Sequence, residues 1–91
     1  MAANRAKIIK NILEETFSPI ELEILDESHK HVGHLGAQSG KGHFKVTIIC
    51  KCFEGLPIIQ RQKLVYRALA SLMETDIHAL SMSTLSPSEL G

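Results

Sequence analysis

The stretch that decides the fold runs from His43 to Met82 and contains two predicted strands with a helix between them. Three of its segments carry most of the information: His43-Phe44-Lys45-Val46-Thr47-Ile48-Ile49, Phe53-Glu54-Gly55 and Ile77-His78-Ala79-Leu80-Ser81-Met82. The first segment alternates apolar and polar side chains, which is typical of a strand that buries one face. Glu54-Gly55 is typical of a tight turn. The first strand is therefore predicted to end in this turn.

The residues after the turn predict a helix that carries positive charge. Pro57 suits the first turn of a helix that continues to about Glu74. Its core stripe is predicted to consist of Val65, Ala68, Leu69 and Leu72. The cationic residues predicted to lie away from that stripe are Arg61, Lys63 and Arg67. Thr75-Asp76 interrupts the helical pattern, and residues 79–84 then predict a third strand.

The residues before His43 predict a helix and a strand. Asn4 suits the cap of a first helix that runs to about Phe17. Ser18-Pro19 should end it, because the residue before a proline is disfavoured in the helical region. Residues 20–24 then alternate strictly between apolar and acidic side chains. This strand is expected to pair antiparallel with the strand that begins at His43.

The predicted fold class is α+β, with the order α-β-β-α-β and a short extra helical turn before the main helix. Near the C-terminus, Ser86-Pro87-Ser88-Glu89 has the capping-box pattern with proline at the first helical position, so a helical stub is expected there. Ninety-one residues have room for one core, and residues 1–91 are expected to form a single domain.

A long connection is predicted between the first two strands, over residues 26–42. It contains His29, His31 and His34, together with several glycines, and has almost no apolar residues to pack it down. Such a segment is expected to be mobile. A connection of this length is uncommon in a small domain and is often functional.

Composition points to a protein outside the membrane with an uneven distribution of charge. Ten basic and ten acidic residues give a formal net charge of zero. The segment from Glu14 to Glu27 is acidic, however, and the segment from Lys41 to Arg67 is predominantly basic. The sequence has no apolar run of the ~20 residues that a membrane span needs. The first residues also lack the apolar core of a secretory signal, so a cytoplasmic location is expected.

Cys50 and Cys52 are too few for a disulfide framework. If both lie on one strand, their positions rarely suit a disulfide, and two free thiols are expected in a reducing compartment. A zinc site formed by Cys52 with His29, His31 and His34 is an alternative, but these residues lack the paired spacing of structural zinc modules. We also find no nucleophile with a recognisable base arrangement, so no catalytic residue is predicted.

These motifs together resemble the BolA family. The resemblance covers residues 5–87 and is carried by Asp26-Glu27-Ser28, His31, His43-Phe44-Lys45-Val46, Phe53-Glu54-Gly55, Arg61, Leu64-Val65-Tyr66, Leu69 and Ile77-His78-Ala79-Leu80. It implies a fold similar to type II KH domains, with a three-stranded mixed sheet and helices on one side. It also implies a non-enzymatic partner of a monothiol glutaredoxin. The family usually has Arg-His where this chain has Arg61-Gln62.

The resemblance further implies a 2Fe–2S cluster shared with the glutaredoxin, which would contribute its own thiolate and that of glutathione. In this chain the implied ligands are His78 and the loop residue His31, with His34 as an alternative to His31. Imidazole ligands raise a cluster's reduction potential and make its binding sensitive to pH. These properties suit iron sensing or cluster delivery.

The second function that the resemblance implies is DNA binding, as in BolA-like regulators of stress response and cell morphology. Arg61, Lys63 and Arg67 on the main helix, with Lys51 nearby, are the candidate phosphate contacts. No aromatic platform for stacking bases accompanies them, because the phenylalanines look like core residues and Tyr66 is isolated. The same cations are suited to docking an acidic protein surface. The sequence is also compatible with a homodimer.

Overall fold

The computed structural model describes residues 4–28 and 41–90 of the chain. Its helices and strands follow in the order α1 (Arg5–Phe17), β1 (Glu21–Asp26), β2 (Gly42–Ile49), α2 (Ile58–Ala68), α3 (Ala70–Thr75) and β3 (Ile77–Leu85). Two short 3-10 helices, Lys51–Phe53 and Pro87–Leu90, precede α2 and follow β3. None of the helices in these two ranges is long and apolar enough to span a bilayer. The predicted α+β order is confirmed.

The three strands form one mixed sheet in the order β1-β2-β3, with β2 at its centre. β1 pairs antiparallel with β2, so that Glu21 lies opposite Ile49 and Asp26 opposite Phe44. β3 pairs parallel with β2, from Gly42 opposite Ile77 to Ile49 opposite Leu85. β1 and β3 are longer than predicted because the backbone pairing continues beyond their alternating segments, to Asp26 in β1 and back to Ile77 in β3.

The core lies between one face of the sheet and the helices. Phe44, Val46 and Ile48 project from β2 into it as predicted, while Lys45 stays exposed between them. The other fully or nearly fully buried apolar residues are Ile9 and Leu13 of α1, Cys50, Phe53, Val65, Leu69 and Ile77. The exposed positions of β3 are His78, Ala79, Ser81 and Ser83, of which all but His78 carry small side chains.

The first helix begins and ends where its sequence predicts. The side chain of Asn4 accepts a hydrogen bond from the backbone N–H of Lys7 at 3.2 Å. At the other end Ser18 adopts the left-handed conformation, with φ 47° and ψ 56°, and donates its N–H to the carbonyl of Glu14. Ser18 therefore lies outside the right-handed helical region, as expected for the residue before a proline. Its left-handed conformation caps the helix and satisfies one of the last carbonyl groups.

The main helix is divided at Leu69, where a single helix to about Glu74 was predicted. Leu69 leaves the helical region, with φ −102° and ψ 13°. Its N–H still bonds to the carbonyl of Val65 at 3.1 Å, and its own carbonyl accepts from Met73 at 2.9 Å. The break is therefore a bend at a buried leucine that keeps the hydrogen bonds on both sides.

Replacing the buried Ile48 by alanine should lower the free energy of unfolding by about 2–5 kcal/mol, because it leaves a cavity in the central strand. Urea unfolding followed by circular dichroism measures the change. Lys45→Ala is the matched control, since Lys45 is exposed on the same strand, and it should change stability by about 0.5 kcal/mol or less. Equal effects of the two substitutions would contradict the burial pattern of β2.

Candidate functional site

Gly42, Ser28 and His43 form a tight junction where β2 begins. The N–H of His43 donates to the hydroxyl of Ser28 at 3.0 Å, and the carbonyl of His43 accepts from the N–H of Glu27 at 2.8 Å. Any Cβ at position 42 would lie 2.6 Å from the ring of Phe44 and 2.8 Å from the hydroxyl of Ser28. Glycine is therefore needed here because the backbone passes so close to both groups.

His78 occupies an irregular position in β3. Gly42 pairs with Ile77, and the next residue of β2, His43, pairs with Ala79. One step along β2 thus corresponds to two steps along β3, and the extra residue is His78. A bulge of this kind changes the direction of a side chain relative to the regular alternation. Ile77 is 1% exposed and lies in the core, whereas His78 is exposed.

The two histidines of this junction lie side by side. The ring centroids of His43 and His78 are 5.0 Å apart and the ring planes are inclined by 56°. His43 is only 8% exposed. A shallow depression beside the pair is lined by Glu27, His43, Phe44, Ala79 and Ser81. The imidazole of His78 is thus accessible, and the largely buried ring of His43 lies beside it.

His31 and His34, the loop ligands implied by the resemblance, lie outside the described residues, as does His29. Ser28 and Lys41, the described residues on either side of them, flank the segment at the His43 end of the sheet. Within residues 4–28 and 41–90 no three His, Cys, Asp or Glu side chains are grouped to hold a metal ion. In this part of the chain, His78 is the accessible nitrogen donor of the junction.

Comparison with known proteins identifies the family. Residues 13–89 match the family described as BolA-like protein. The chain belongs to the BolA family. It is 39% identical to chloroplastic BOLA1 of Arabidopsis thaliana, over 94% of this chain and 56% of that protein. It is 36% identical to the DNA-binding transcriptional regulator BolA of Escherichia coli, over 84% of this chain and 70% of that protein.

Solved BolA structures share the fold of this chain. The BolA domain of SufE1 from Arabidopsis thaliana superposes with a TM-score of 0.84 at 32% identity, covering 98% of this chain and 99% of that one. BolA1 from the same plant gives 0.82 at 36% identity, covering 97% and 98%. The chain nevertheless spans 56% of the curated BOLA1 and 25% of the curated SufE-like protein 1. The BolA family is generally non-catalytic.

Arg61 of this BolA-like chain is a buried structural residue, and its prediction as a phosphate contact is wrong. It is 5% exposed and donates to the carbonyls of Leu56 at 2.8 Å and Thr84 at 2.9 Å. Its guanidinium also pairs with Glu89 at 2.6 Å. Because these partners hold it beneath the C-terminal segment, its charge is not available to nucleic acid.

The partner of Arg61 completes the capping box that the sequence predicts. The same oxygen of Glu89 accepts from the N–H of Ser86 at 2.7 Å and from its hydroxyl at 3.0 Å. Ser88 then donates its N–H and its hydroxyl to Glu54, at 3.0 and 2.7 Å. The C-terminal 3-10 helix is thus bonded to α2 and to the Glu54-Gly55 turn. Glu54 and Glu89 were not predicted to bond across the fold.

The other candidate cations remain accessible. Lys51, Lys63 and Arg67 are exposed. Lys63 and Arg67 lie beside an apolar depression on α2 that Leu56, Gln60 and Leu64 complete. The positive surface of α2 therefore consists of two of the three residues predicted for it.

The cysteines were expected to be free thiols, and this expectation is wrong in the structure. Cys50 and Cys52 are joined by a disulfide, with their Cα atoms 5.1 Å apart. The expectation placed both on one strand, but β2 ends at Ile49 and the chain turns into the 3-10 helix Lys51–Phe53. This turn brings the two residues within the range of Cα separations that disulfides require. Because its sulfur is bonded to Cys50, Cys52 cannot supply a thiolate to the alternative zinc site.

Acid should weaken the ion pair between Arg61 and Glu89. The hydrogen bond from Arg61, with further bonds from Ser86, lowers the pKa of Glu89 from 4.5 to about 2. A lowered pKa in the folded state means that the carboxylate stabilises the fold above pH 4.5, and that this stabilisation is lost as the pH falls towards 2. The difference in unfolding free energy between the wild type and Glu89→Gln should therefore shrink over this window.

Chemical unfolding at a series of pH values measures this difference. Glu74→Gln is the control, because it removes one carboxylate from an exposed position on α3. If the difference in unfolding free energy between the wild type and Glu89→Gln stays constant down to pH 2, the stabilising role of the ion pair is contradicted.

Proposed function

We propose that this chain is a non-enzymatic adaptor that binds a monothiol glutaredoxin and shares the ligation of a 2Fe–2S cluster with it. In this complex His78 supplies one ligand, and His31 supplies a second, with His34 as the alternative. The glutaredoxin and its glutathione supply the remaining two. The observation that carries the proposal is the exposed imidazole of His78, which the bulge in β3 directs away from the core.

The chemistry of the junction fits such a shared ligand shell. A neutral imidazole donates one nitrogen to a metal, and histidine replaces cysteine as a ligand in some 2Fe–2S centres. His43 packs its ring against His78 at a centroid distance of 5.0 Å and is held through its backbone by Glu27 and Ser28. This support limits the positions that the His78 ring can take, so less conformational entropy is lost on binding.

The chain length from Ser28 limits how far each candidate for the second ligand can lie from the junction. His31 follows Ser28 by three residues, which span at most about 11 Å, whereas six residues separate His34 from Ser28. Ser28 itself bonds to the backbone of His43, next to His78. His31, the nearer of the two to Ser28 in sequence, is therefore the first candidate, with His34 as its alternative.

The residues of this chain would bind and orient the cluster without reacting with it. When bound, the cluster provides an iron centre that can be sensed or passed to another protein. The small side chains Ala79 and Ser81 beside the depression leave the approach to His78 open to a partner surface. A location in the cytoplasm is part of the same proposal.

Replacing His78 by alanine should remove the shared cluster. The experiment reconstitutes the chain anaerobically with a monothiol glutaredoxin, glutathione, iron and sulfide, and records the visible spectrum of the isolated complex. Removing an outer-shell partner of a metal ligand typically lowers metal affinity about 10–100-fold. Loss of the direct ligand His78 should lower the affinity for the cluster at least as much. Ser83→Ala is the control, because Ser83 is also exposed on β3.

The loop ligand is identified by comparing His31→Ala with His34→Ala in the same reconstitution. A complex of His78→Ala whose spectrum and cluster content equal those of the wild type would exclude the proposed site. Failure of the wild-type chain to form any complex with the glutaredoxin would exclude the function.

DNA binding is a second candidate, favoured by the relative from Escherichia coli whose name describes a DNA-binding regulator. On this chain the surface for it would be Lys63 and Arg67 on α2, with Lys51 after β2. Three phosphate contacts give weak, salt-sensitive binding, so a homodimer would be needed for useful affinity. The adaptor function has no such requirement.

A salt titration tests the second candidate. If Lys51, Lys63 and Arg67 all contact phosphates, log K should fall with log salt with a slope of about −2.7, and replacing Lys63 and Arg67 by alanine should reduce the slope to about −0.9. Duplex DNA is titrated at two or more salt concentrations and followed by fluorescence anisotropy. Lys10→Ala, which removes an exposed charge from α1, should leave the slope unchanged. Absence of binding at low salt would exclude this function.

A further inference from the structure

The disulfide between Cys50 and Cys52 lies at the end of β2 and has no part in the proposed function. Its two cysteines differ in accessibility. Cys50 is 2% exposed and belongs to the core, whereas Cys52 is exposed on the 3-10 helix. A thiol that opens a disulfide must reach one of its sulfur atoms along the line of the bond. Only the Cys52 side of this bond offers that access.

We propose that Cys52 is a thiol-exchange site, at which a small thiol such as glutathione opens the disulfide and becomes attached to Cys52. The thiolate of glutathione attacks Sγ of Cys52 and forms a new S–S bond as the bond to Cys50 breaks. The electron pair of the broken bond remains on Sγ of Cys50, which takes up a proton from water. A second glutathione thiolate then releases Cys52 and leaves as oxidised glutathione, so that the pair gains two electrons.

The surroundings of Cys50 suit a sulfur that leaves as an anion and is then protonated. The backbone N–H of Cys52 points at Sγ of Cys50 from 3.1 Å, and a hydrogen bond of this kind stabilises a thiolate. The carbonyl oxygen of Phe17 lies 3.3 Å from the same sulfur and can accept the proton of the thiol. Lys51, exposed between the two cysteines, adds a positive charge that favours an anionic thiol.

This site is separate from the candidate metal site. Cys50 follows the last residue of β2, and His43 is the second residue of the same strand. Seven residues of strand place them about 23 Å apart. The exchange therefore does not depend on the proposed adaptor function.

Exchange in mixtures of reduced and oxidised glutathione tests the proposal on the full chain. Samples are quenched with acid, alkylated, and analysed by peptide mapping with mass spectrometry. In the wild type the glutathionyl group should be found on Cys52 at least about tenfold more often than on Cys50, because burial protects Cys50. The internal disulfide should dominate in oxidising mixtures and the dithiol in reducing ones.

Two variants test the reactivity of each cysteine separately. Cys50→Ser should accumulate the adduct on Cys52, since no internal thiol remains to displace glutathione. Cys52→Ser should be modified at least about tenfold more slowly, because only the buried sulfur remains. Circular dichroism confirms that each variant is folded, and Cys50→Ala replaces Cys50→Ser if serine disturbs the core.

Three results would overturn the proposal. The first is a wild-type chain that keeps two free thiols in the oxidising mixtures. The second is an adduct that forms equally on both cysteines. The third is a folded Cys50→Ser or Cys50→Ala variant that takes up no glutathione. The wild-type measurement alone decides the first two, so the test does not depend on a variant that folds.

Discussion

The pairing of β2 on both of its sides is the constraint on which the rest of the structure depends. β1 bonds to it antiparallel and β3 bonds to it parallel. Parallel strands require a crossover, and α2 and α3 provide it while covering the face that carries Phe44, Val46 and Ile48. The crossover returns the chain to the end of the sheet where β2 began. His78 reaches His43 for this reason, although a whole helical segment separates them in sequence.

The local pattern of the sequence predicts much of this architecture. Alternation identifies the buried face of β2, Asn4 identifies the start of α1, and Ser86-Pro87-Ser88-Glu89 identifies the final capping box. Each of these signals depends on residues close together in the chain. The bend at Leu69 and the bulge at His78 depend on how distant segments pack and pair. No local pattern carries that information, so His78 is predicted from the resemblance and its exposure is learned from the structure.

The two mistaken predictions share a physical cause. Arg61 was assigned to the solvent because it is charged, yet it precedes Val65 and Leu69 at intervals of four residues and continues their buried stripe. Position on the helix was a better guide than residue type, since carbonyl groups and Glu89 compensate the buried charge. The expectation of free thiols at Cys50 and Cys52 assumed that both lie on one extended strand, but β2 ends at Ile49 and the chain turns into the 3-10 helix Lys51–Phe53. Arg61 was placed on the wrong side of a correctly predicted helix, and the cysteines were placed on a strand that ends before them.

The bulge in β3 has a consequence for how this chain can vary. Ile77 and the regular positions of the strand are constrained by the interior against which they pack. The inserted position at His78 belongs to neither face of the regular ladder, so a different side chain there leaves the interior intact. Natural selection can therefore replace the side chain at this point without rebuilding the scaffold around it.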